Sequence, residues 1–172
     1  MERIVIINES TFTKWMERVK ELLRVLHCQE QQVKNKGIGT WLDTSEVLRK
    51  VEPIVQMVAQ ASEKGLRPDG SMIHEANLDT GHVDDDLHWW VQAENVVGWM
   101  NIYQYFGDTA AFDKAALCWK YIKENLIDEE NGEWHWSRHP DGSLNLVDDK
   151  AGFWKCPYHN SRMCLEIIER EL

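Results

Sequence analysis

The segment from Gly152 to Cys164 carries the residue that is best suited to proton transfer. Its sequence, GFWKCPYHNSRMC, places His159 shortly after Trp154 and Pro157. An unperturbed imidazole titrates at about pH 6.5, so His159 can accept and donate protons close to neutrality. Pro157 suits the first turn of a helix, where a backbone N–H is not needed. The sequence therefore predicts a loop that carries Trp154, followed by a helix from Tyr158 whose first turn presents His159.

A second group of candidates lies on a predicted helix from Leu87 to about Phe106. Trp90 and Glu94 are one helical turn apart there, which places an indole beside a carboxylate. Indole rings stack on the C–H faces of sugars, while nearby polar groups bind the hydroxyls. Together with Trp154 and His159, this pair favours a sugar-binding cleft. The alternative is a Trp90 packed in the core and a Glu94 that is solvated or ion-paired.

The remaining histidines and the cysteines give little support for a metal or a cofactor. The cysteines include no CxxC pair, and no glycine-rich phosphate loop is present. The four cysteines are expected to be reduced thiols. His88, His135 and His139 are weaker candidates, and His74 and His82 are predicted to be solvated loop residues. We therefore expect no metal and no cofactor.

Length and charge narrow the class of protein. A chain of 172 residues predicts a single domain, residues 1–172. Its formal charge of -10 at pH 7 argues against a nucleic acid or an anionic membrane surface as a partner. The apolar run Ile4–Ile7 is too short for a membrane span or a signal-peptide core. We expect a cytoplasmic protein with no nucleic-acid partner and no membrane partner.

Periodicity and turn residues predict the elements that position the candidate residues. The apolar spacing predicts helices over Thr11–Lys34, Thr44–Lys64, Leu87–Phe106, Thr109–Leu126 and from Tyr158 onward. Pro53 lies within the second of these helices and is expected to kink or split it. Turn-rich segments predict short strands at Met72–Glu75, Glu133–Arg138 and Leu144–Val147. The expected fold class is all-α, with short β-hairpins in the loops.

An internal repeat accompanies these elements. Val83-Asp84-Asp85 precedes Trp90, and Val147-Asp148-Asp149 precedes Trp154, with a constant offset of 64 residues. Each copy follows a turn-rich segment and leads towards a helix, a layout typical of helical-hairpin arrays and toroids. The repeat predicts equivalent places for Trp90 and Trp154.

Two strings resemble the sugar 2-epimerase family, which includes the N-acylglucosamine and cellobiose 2-epimerases. They are Trp89–Glu94, WWVQAE, and Trp154–Asn160, WKCPYHN. The Tyr158-His159-Asn160 form is closer to the cellobiose branch. The resemblance runs from about Trp41 to Leu172 and corresponds to the C-terminal half of the family's fold.

The resemblance implies a fold and a reaction. The family has an (α/α)6 barrel and inverts C2 of a sugar without a metal, through proton abstraction and an enediolate, with two histidines as acid and base. His159 matches one of these histidines. Trp90 and Trp154 match the indoles that hold the sugar, and Glu94 matches a carboxylate of the site. The implied partner is a mono- or disaccharide.

The chain departs from the family at the second histidine. In the family it belongs to a His-x-x-Glu motif, and Asn35 and Ile38 stand at those places here. Residues 1–36 match the family poorly and form a lead-in helix in this interpretation. About five helices are predicted here, whereas the family's barrel has twelve. We therefore expect a partial barrel, weakly active or inactive alone.

Several alternatives remain open. A complementary N-terminal polypeptide could complete the site, or the chain could associate with itself through an exposed concave face. It could instead be a non-catalytic carbohydrate-binding remnant. A glycoside hydrolase on an α/α toroid is a further possibility, with Glu94 and an aspartate as its paired carboxylates.

Overall fold

A computed structural model of the chain describes residues 44–77 and 80–170. The predicted lead-in helix Thr11–Lys34 and the positions Asn35, Ile38 and Trp41 lie outside the described residues. The chain divides into two compact units, Met1–Ala61 and Ser62–Leu172. All candidate site residues belong to the second unit.

The described part of the chain is mainly helical, as predicted. Its helices are α1 (Thr44–Glu63), α2 (Trp89–Phe106), α3 (Thr109–Asn125) and α4 (Tyr158–Glu169). The strands are β1 (Glu75–Asn77), β2 (His82–Asp84), β3 (Leu87–His88) and β4 (Ser137–Arg138). They form two antiparallel two-stranded sheets, β1–β2 and β3–β4. Among these described helices none is both long and apolar enough to cross a lipid bilayer.

Three local predictions need correction. Helix α1 continues through Pro53 and is not split. Helix α2 begins at Trp89, because the two residues before it pair as β3 with β4. The predicted strands around Met72 and Leu144 are reduced to isolated bridges. The local pairs are therefore shorter than the alternating pattern predicted, and the β3–β4 sheet joins segments that are distant in sequence.

Helix α2 is the central element of the second unit. It packs against both α3 and α4, and its buried side chains include Val91, Ala93, Val97 and Trp99 on several faces. A helix that is apolar on all sides is stable only when neighbours cover it. The left-handed Gly107, with φ 71°, ends the helix, and Asp108 caps α3 by accepting hydrogen bonds from two backbone N–H groups.

Two turns share one sequence and one hydrogen-bond pattern. We call Arg67–Ser71 the inner turn and His139–Ser143 the outer turn, and both contain Pro-Asp-Gly-Ser. In each, the aspartate accepts hydrogen bonds from the N–H and the hydroxyl of the serine. The glycines have φ of 84° and 85°. Gly70 and Ser71 of the inner turn are buried, whereas the outer turn is exposed from Pro140 to Ser143.

The 64-residue repeat does not correspond to equivalent structure. Trp90 lies in the first turn of α2, whereas Trp154 lies in a loop before α4 begins at Tyr158. Val83 and Asp84 belong to β2, whereas Val147 and Asp148 lie outside the helices and strands. The predicted equivalence of the two tryptophans is therefore wrong.

Candidate functional site

His159 is positioned by the start of α4. The helix begins at Tyr158, as predicted, and the N–H of Ser161 donates to the carbonyl of Pro157 within the first turn. The side chain of Asn160 donates to a carboxylate oxygen of Glu133 at 2.8 Å. This bond ties the start of α4 to the turn that follows α3, so the direction of the His159 side chain is set by two elements.

Glu94 of α2 meets two basic residues of α4. Its Oε1 atom lies 2.8 Å from Nδ1 of His159 and also accepts a hydrogen bond from the Arg162 guanidinium. The Glu94 side chain is only 12% exposed. Because a carboxylate can only accept, Nδ1 of His159 carries the proton, and Nε2 is the ring nitrogen suited to exchange one with a ligand.

Arg162 keeps a positive charge beside this pair. Burial opposes its charge, but the carboxylates of Glu94 and Glu166 outweigh the burial and raise the pKa of the guanidinium above its usual value. Arg162 in turn stabilises the ionised form of Glu94, which orients the imidazole of His159. The sequence alone did not single out Arg162, although its place three residues after His159 on a helix was a usable signal.

Aromatic rings surround His159. The ring centroids of Trp89, Trp90 and Tyr158 lie 5.4, 5.8 and 4.9 Å from the centroid of its imidazole. Trp89 is buried, while Trp90 and His159 are partly exposed. The structure thus brings together His159, Trp90 and Glu94, three of the four residues that the sequence proposed for the site.

Trp154, the fourth proposed residue, is not part of this group. Its side chain is 83% exposed, and its ring contact is with Phe153, at 4.9 Å between centroids. Leu146 and Val147 on the same loop are also exposed. The described loop therefore presents an apolar surface next to the start of α4.

Lys155 follows the exposed Trp154 but is buried. Its side chain is 1% exposed, and Nζ donates to the carbonyls of Trp134 and Lys150, both at 2.6 Å, and to a Glu133 oxygen at 3.2 Å. Nζ also lies 4.9 Å from the ring centroid of Trp89. Burial lowers the pKa of Lys155 despite the attraction of Glu133. Sequence reasoning missed this anchor, whose only signal is a cation inside an aromatic segment.

A second cluster also contacts Trp90. The ring of His74 stacks on that of His88 at 4.1 Å and meets the edge of Trp90 at 5.7 Å. Nδ1 of His74 lies 2.7 Å from a carboxylate oxygen of Asp84. The His74 side chain is 15% exposed, so the prediction that it is a solvated loop residue is wrong. Its partners come from β2 and β3, which a local interpretation of the loop could not supply.

Comparison with known proteins gives a family match and a similar curated relative. Residues 45–162 match the family described as N-acylglucosamine 2-epimerase (GlcNAc 2-epimerase). A cellobiose 2-epimerase of Bacteroides fragilis is 54% identical over 127 residues, which are 74% of this chain and 32% of that relative. The chain thus spans about a third of the length of this curated relative.

Solved structures give the same result for the fold. Cellobiose 2-epimerase from Bacillus thermoamylovorans B4167 matches with a TM-score of 0.64 and 37% identity over 70% of this chain and 30% of that one. A sugar epimerase from a ruminal bacterium matches with a TM-score of 0.65 and 33% identity over 76% and 34% of the two chains. These neighbours have the α/α toroid fold, so the predicted fold class, part of an α/α toroid with short hairpins, is confirmed.

Proposed function

Because the chain belongs to the N-acylglucosamine 2-epimerase family, we propose that its site inverts C2 of a reducing-end sugar. The substrate class is a disaccharide such as cellobiose or mannobiose, or an N-acylglucosamine. The observation that supports this proposal is the contact of His159 with Glu94 beside the partly exposed Trp90. It combines a proton-transfer group with a surface on which a sugar ring can stack.

In the proposed reaction His159 exchanges a proton with C2 of the open-chain sugar. The C2–H bond breaks and its proton goes to Nε2 of His159, while its electron pair forms the C1–C2 double bond and the carbonyl π pair moves to O1, which gives an enediolate. Glu94 holds Nδ1 and stabilises the imidazolium that results. Return of a proton to the opposite face of C2 gives the epimer, and this step requires a second acid–base group.

The second group is the incomplete part of the proposal. Asn35 and Ile38 stand where the resemblance places the family's other histidine motif. We propose that the chain alone turns over weakly or not at all, and that a complementary polypeptide or a second copy completes the site. Residues 1–172 act in this proposal as one domain, the C-terminal part of a barrel. The exposed side chains of Leu146, Val147 and Phe153 support association, and the cytoplasm is the proposed location.

Deuterium incorporation tests this function. The chain is incubated with cellobiose in heavy water, and deuterium at C2 is measured by NMR or mass spectrometry. We expect slow exchange that His159→Asn lowers by about 100-fold or more, because an amide cannot carry the proton. His82→Ala, at an exposed strand position, is the matched control and should leave exchange unchanged.

Complementation tests the missing group. The segment of the Bacteroides fragilis relative that precedes its matching region is added to the chain, and we expect faster exchange than with the chain alone. Fast exchange without that segment would show that the chain needs no partner. Exchange that survives in the His159→Asn variant would contradict the proposed role of His159.

A non-catalytic carbohydrate-binding role is the second candidate, and the exposed aromatic pair Phe153 and Trp154 favours it. Quenching of tryptophan fluorescence by sugars, with no deuterium exchange even after complementation, would support it. A glycoside hydrolase would instead release monosaccharide. That third alternative is less favoured, because Glu94 is paired with both Arg162 and His159.

A further inference from the structure

We propose that His74, Asp84 and His88 form a binding site for a divalent transition-metal ion, with Zn²⁺ as the best match. Each residue offers one ligand atom, and these three atoms lie within 4.8 Å of one another. The site is distinct from the contact of His159 with Glu94, and it is not needed for the proton transfer proposed above.

Three short elements bring the ligands together. Strands β1 and β2 pair in a register that sets Glu75 opposite Asp84, so His74, just before β1, comes next to Asp84. Strand β3 ends at His88, which β4 holds through its pairing with Ser137. Strand pairing therefore fixes the backbone of Asp84 and His88 and of the residue after His74. Binding of an ion would then move mainly the side chains.

The donor set selects the kind of ion. Two imidazoles and one carboxylate suit Zn²⁺, Co²⁺ and Ni²⁺ better than Mg²⁺ or Ca²⁺, which prefer oxygen ligands. Ligand atoms around tetrahedral zinc lie about 3.3 Å apart, given bonds of roughly 2.0–2.1 Å. To bind one ion, the stacked rings of His74 and His88 must turn so that a nitrogen of each faces it, from a start in which all three ligand atoms lie within 4.8 Å of one another. Three protein ligands leave a fourth position for water, so the bound ion should be exchangeable.

The neighbouring charged groups distinguish this cluster from a comparable pair. The carboxylates of Asp84, Asp86 and Asp148 lie near His88. His135, whose Nε2 lies 4.0 Å from an Asp128 oxygen, is the contrasting case, with the cations of Lys150, Arg138 and Lys155 nearby. Burial lowers the pKa of His88 and of His135 alike, so the geometric difference is that the first cluster offers a second imidazole, His74, beside its carboxylate.

Metal titration of the untagged, chelator-treated chain tests the proposal. Isothermal titration with Zn²⁺ should give one ion per chain. Removing a ligand should weaken binding by more than the roughly tenfold cost of an outer-shell change, so His74→Ala, His88→Ala and Asp84→Asn should each exceed that loss. His82→Ala and His139→Ala are controls that should bind as the wild type does, and circular dichroism checks that each variant folds.

Co²⁺ absorption supplies a second readout, which separates this site from the cysteines. We expect visible d–d bands without the strong ultraviolet bands of thiolate ligation, and loss of those bands in the His88→Ala variant. Zinc affinity that is unchanged in both histidine variants would overturn the proposal, as would thiolate bands or an equal loss in His139→Ala. Either result leaves the test of His159 untouched, since deuterium exchange is measured without added metal.

Discussion

The inner and outer turns share Pro-Asp-Gly-Ser and the same internal hydrogen bonds, but their surroundings differ. A Cβ on Gly70 would come within 2.7 Å of backbone atoms of Leu117 and Cys118, whereas one on Gly142 would meet nothing within 4 Å. The side chain of Asn95 also donates to the carbonyl of Gly70. Local sequence therefore sets the shape of both turns, and packing against α3 and α2 makes only the inner one part of the core.

The largest difference between the turns should appear at their glycines. Both have positive φ, so alanine costs each about 1–2 kcal/mol of folding free energy. Gly70→Ala adds a clash with the α3 backbone, which raises the expected loss to about 2–5 kcal/mol. Urea unfolding of the Gly70→Ala and Gly142→Ala variants measures both. Equal losses would show that the inner turn is not packed as described.

The next largest effect should come from Gln92, which holds Met72, the residue directly after the inner turn. Its buried amide accepts from the N–H of Met72 and donates to the carbonyl of Met72, both at 2.8 Å. Gln92→Leu leaves these two backbone groups without that partner, at about 1–2 kcal/mol for each buried group. We expect a loss of about 2–4 kcal/mol in urea unfolding. A loss below that of Gly142→Ala would mean that water replaces the amide.

The serines should show a smaller difference of the same sign. Ser71 is fully buried and its hydroxyl donates to Asp69, whereas Ser143 makes the same bond to Asp141 at the surface. Ser71→Ala should cost about 1 kcal/mol, the usual net value of one hydrogen bond. Ser143→Ala should change the melting temperature little, because water can replace the hydroxyl. A larger loss at Ser143 would contradict the difference in burial.

The smallest effect should be a pH dependence at the outer turn. Hydrogen bonds from Ser143 hold the pKa of the Asp141 carboxyl below its usual value. Because the folded-state pKa is the lower one, the contribution is complete above the unfolded value of about 4 and is lost as pH falls through the folded value. Asp141→Asn should therefore flatten the decline of melting temperature between about pH 5 and 3 slightly. An unchanged acid profile would contradict this role.

The sequence predicted the helices and the position of Trp90 beside Glu94 on one of them, because both depend on local spacing. Apolar periodicity predicted α2 and α4, and the one-turn spacing of Trp90 and Glu94 placed both near the start of α2. The meeting of Glu94 with His159 depends on how α2 packs on α4, and sequence could suggest it only through resemblance. The loop position of Trp154 was predicted from Pro157, whereas its predicted equivalence with Trp90 came from the repeat and is wrong.

Longer-range pairs account for what the sequence could not predict. The side chain of His74 is covered because β1 pairs with β2 and because His88 stacks on its ring. The buried ammonium of Lys155 is stabilised because it donates hydrogen bonds to the carbonyls of Trp134 and Lys150. Neither environment has a signature in the adjacent residues alone, since His74 also needs the ring of His88 and Lys155 also needs the carbonyl of Trp134.

The burial of Lys155 has a consequence for proteolysis. Chymotrypsin cleaves after aromatic residues such as Phe153 and Trp154, which are exposed. Trypsin cleaves after lysine, and Lys155, which follows them in the same loop, is buried. Chymotrypsin should open the native loop early, while trypsin should leave the bond after Lys155 intact until the ammonium loses its carbonyl partners. The order in which the two enzymes cut this segment therefore reports, without any substrate, whether the start of α4 is still anchored.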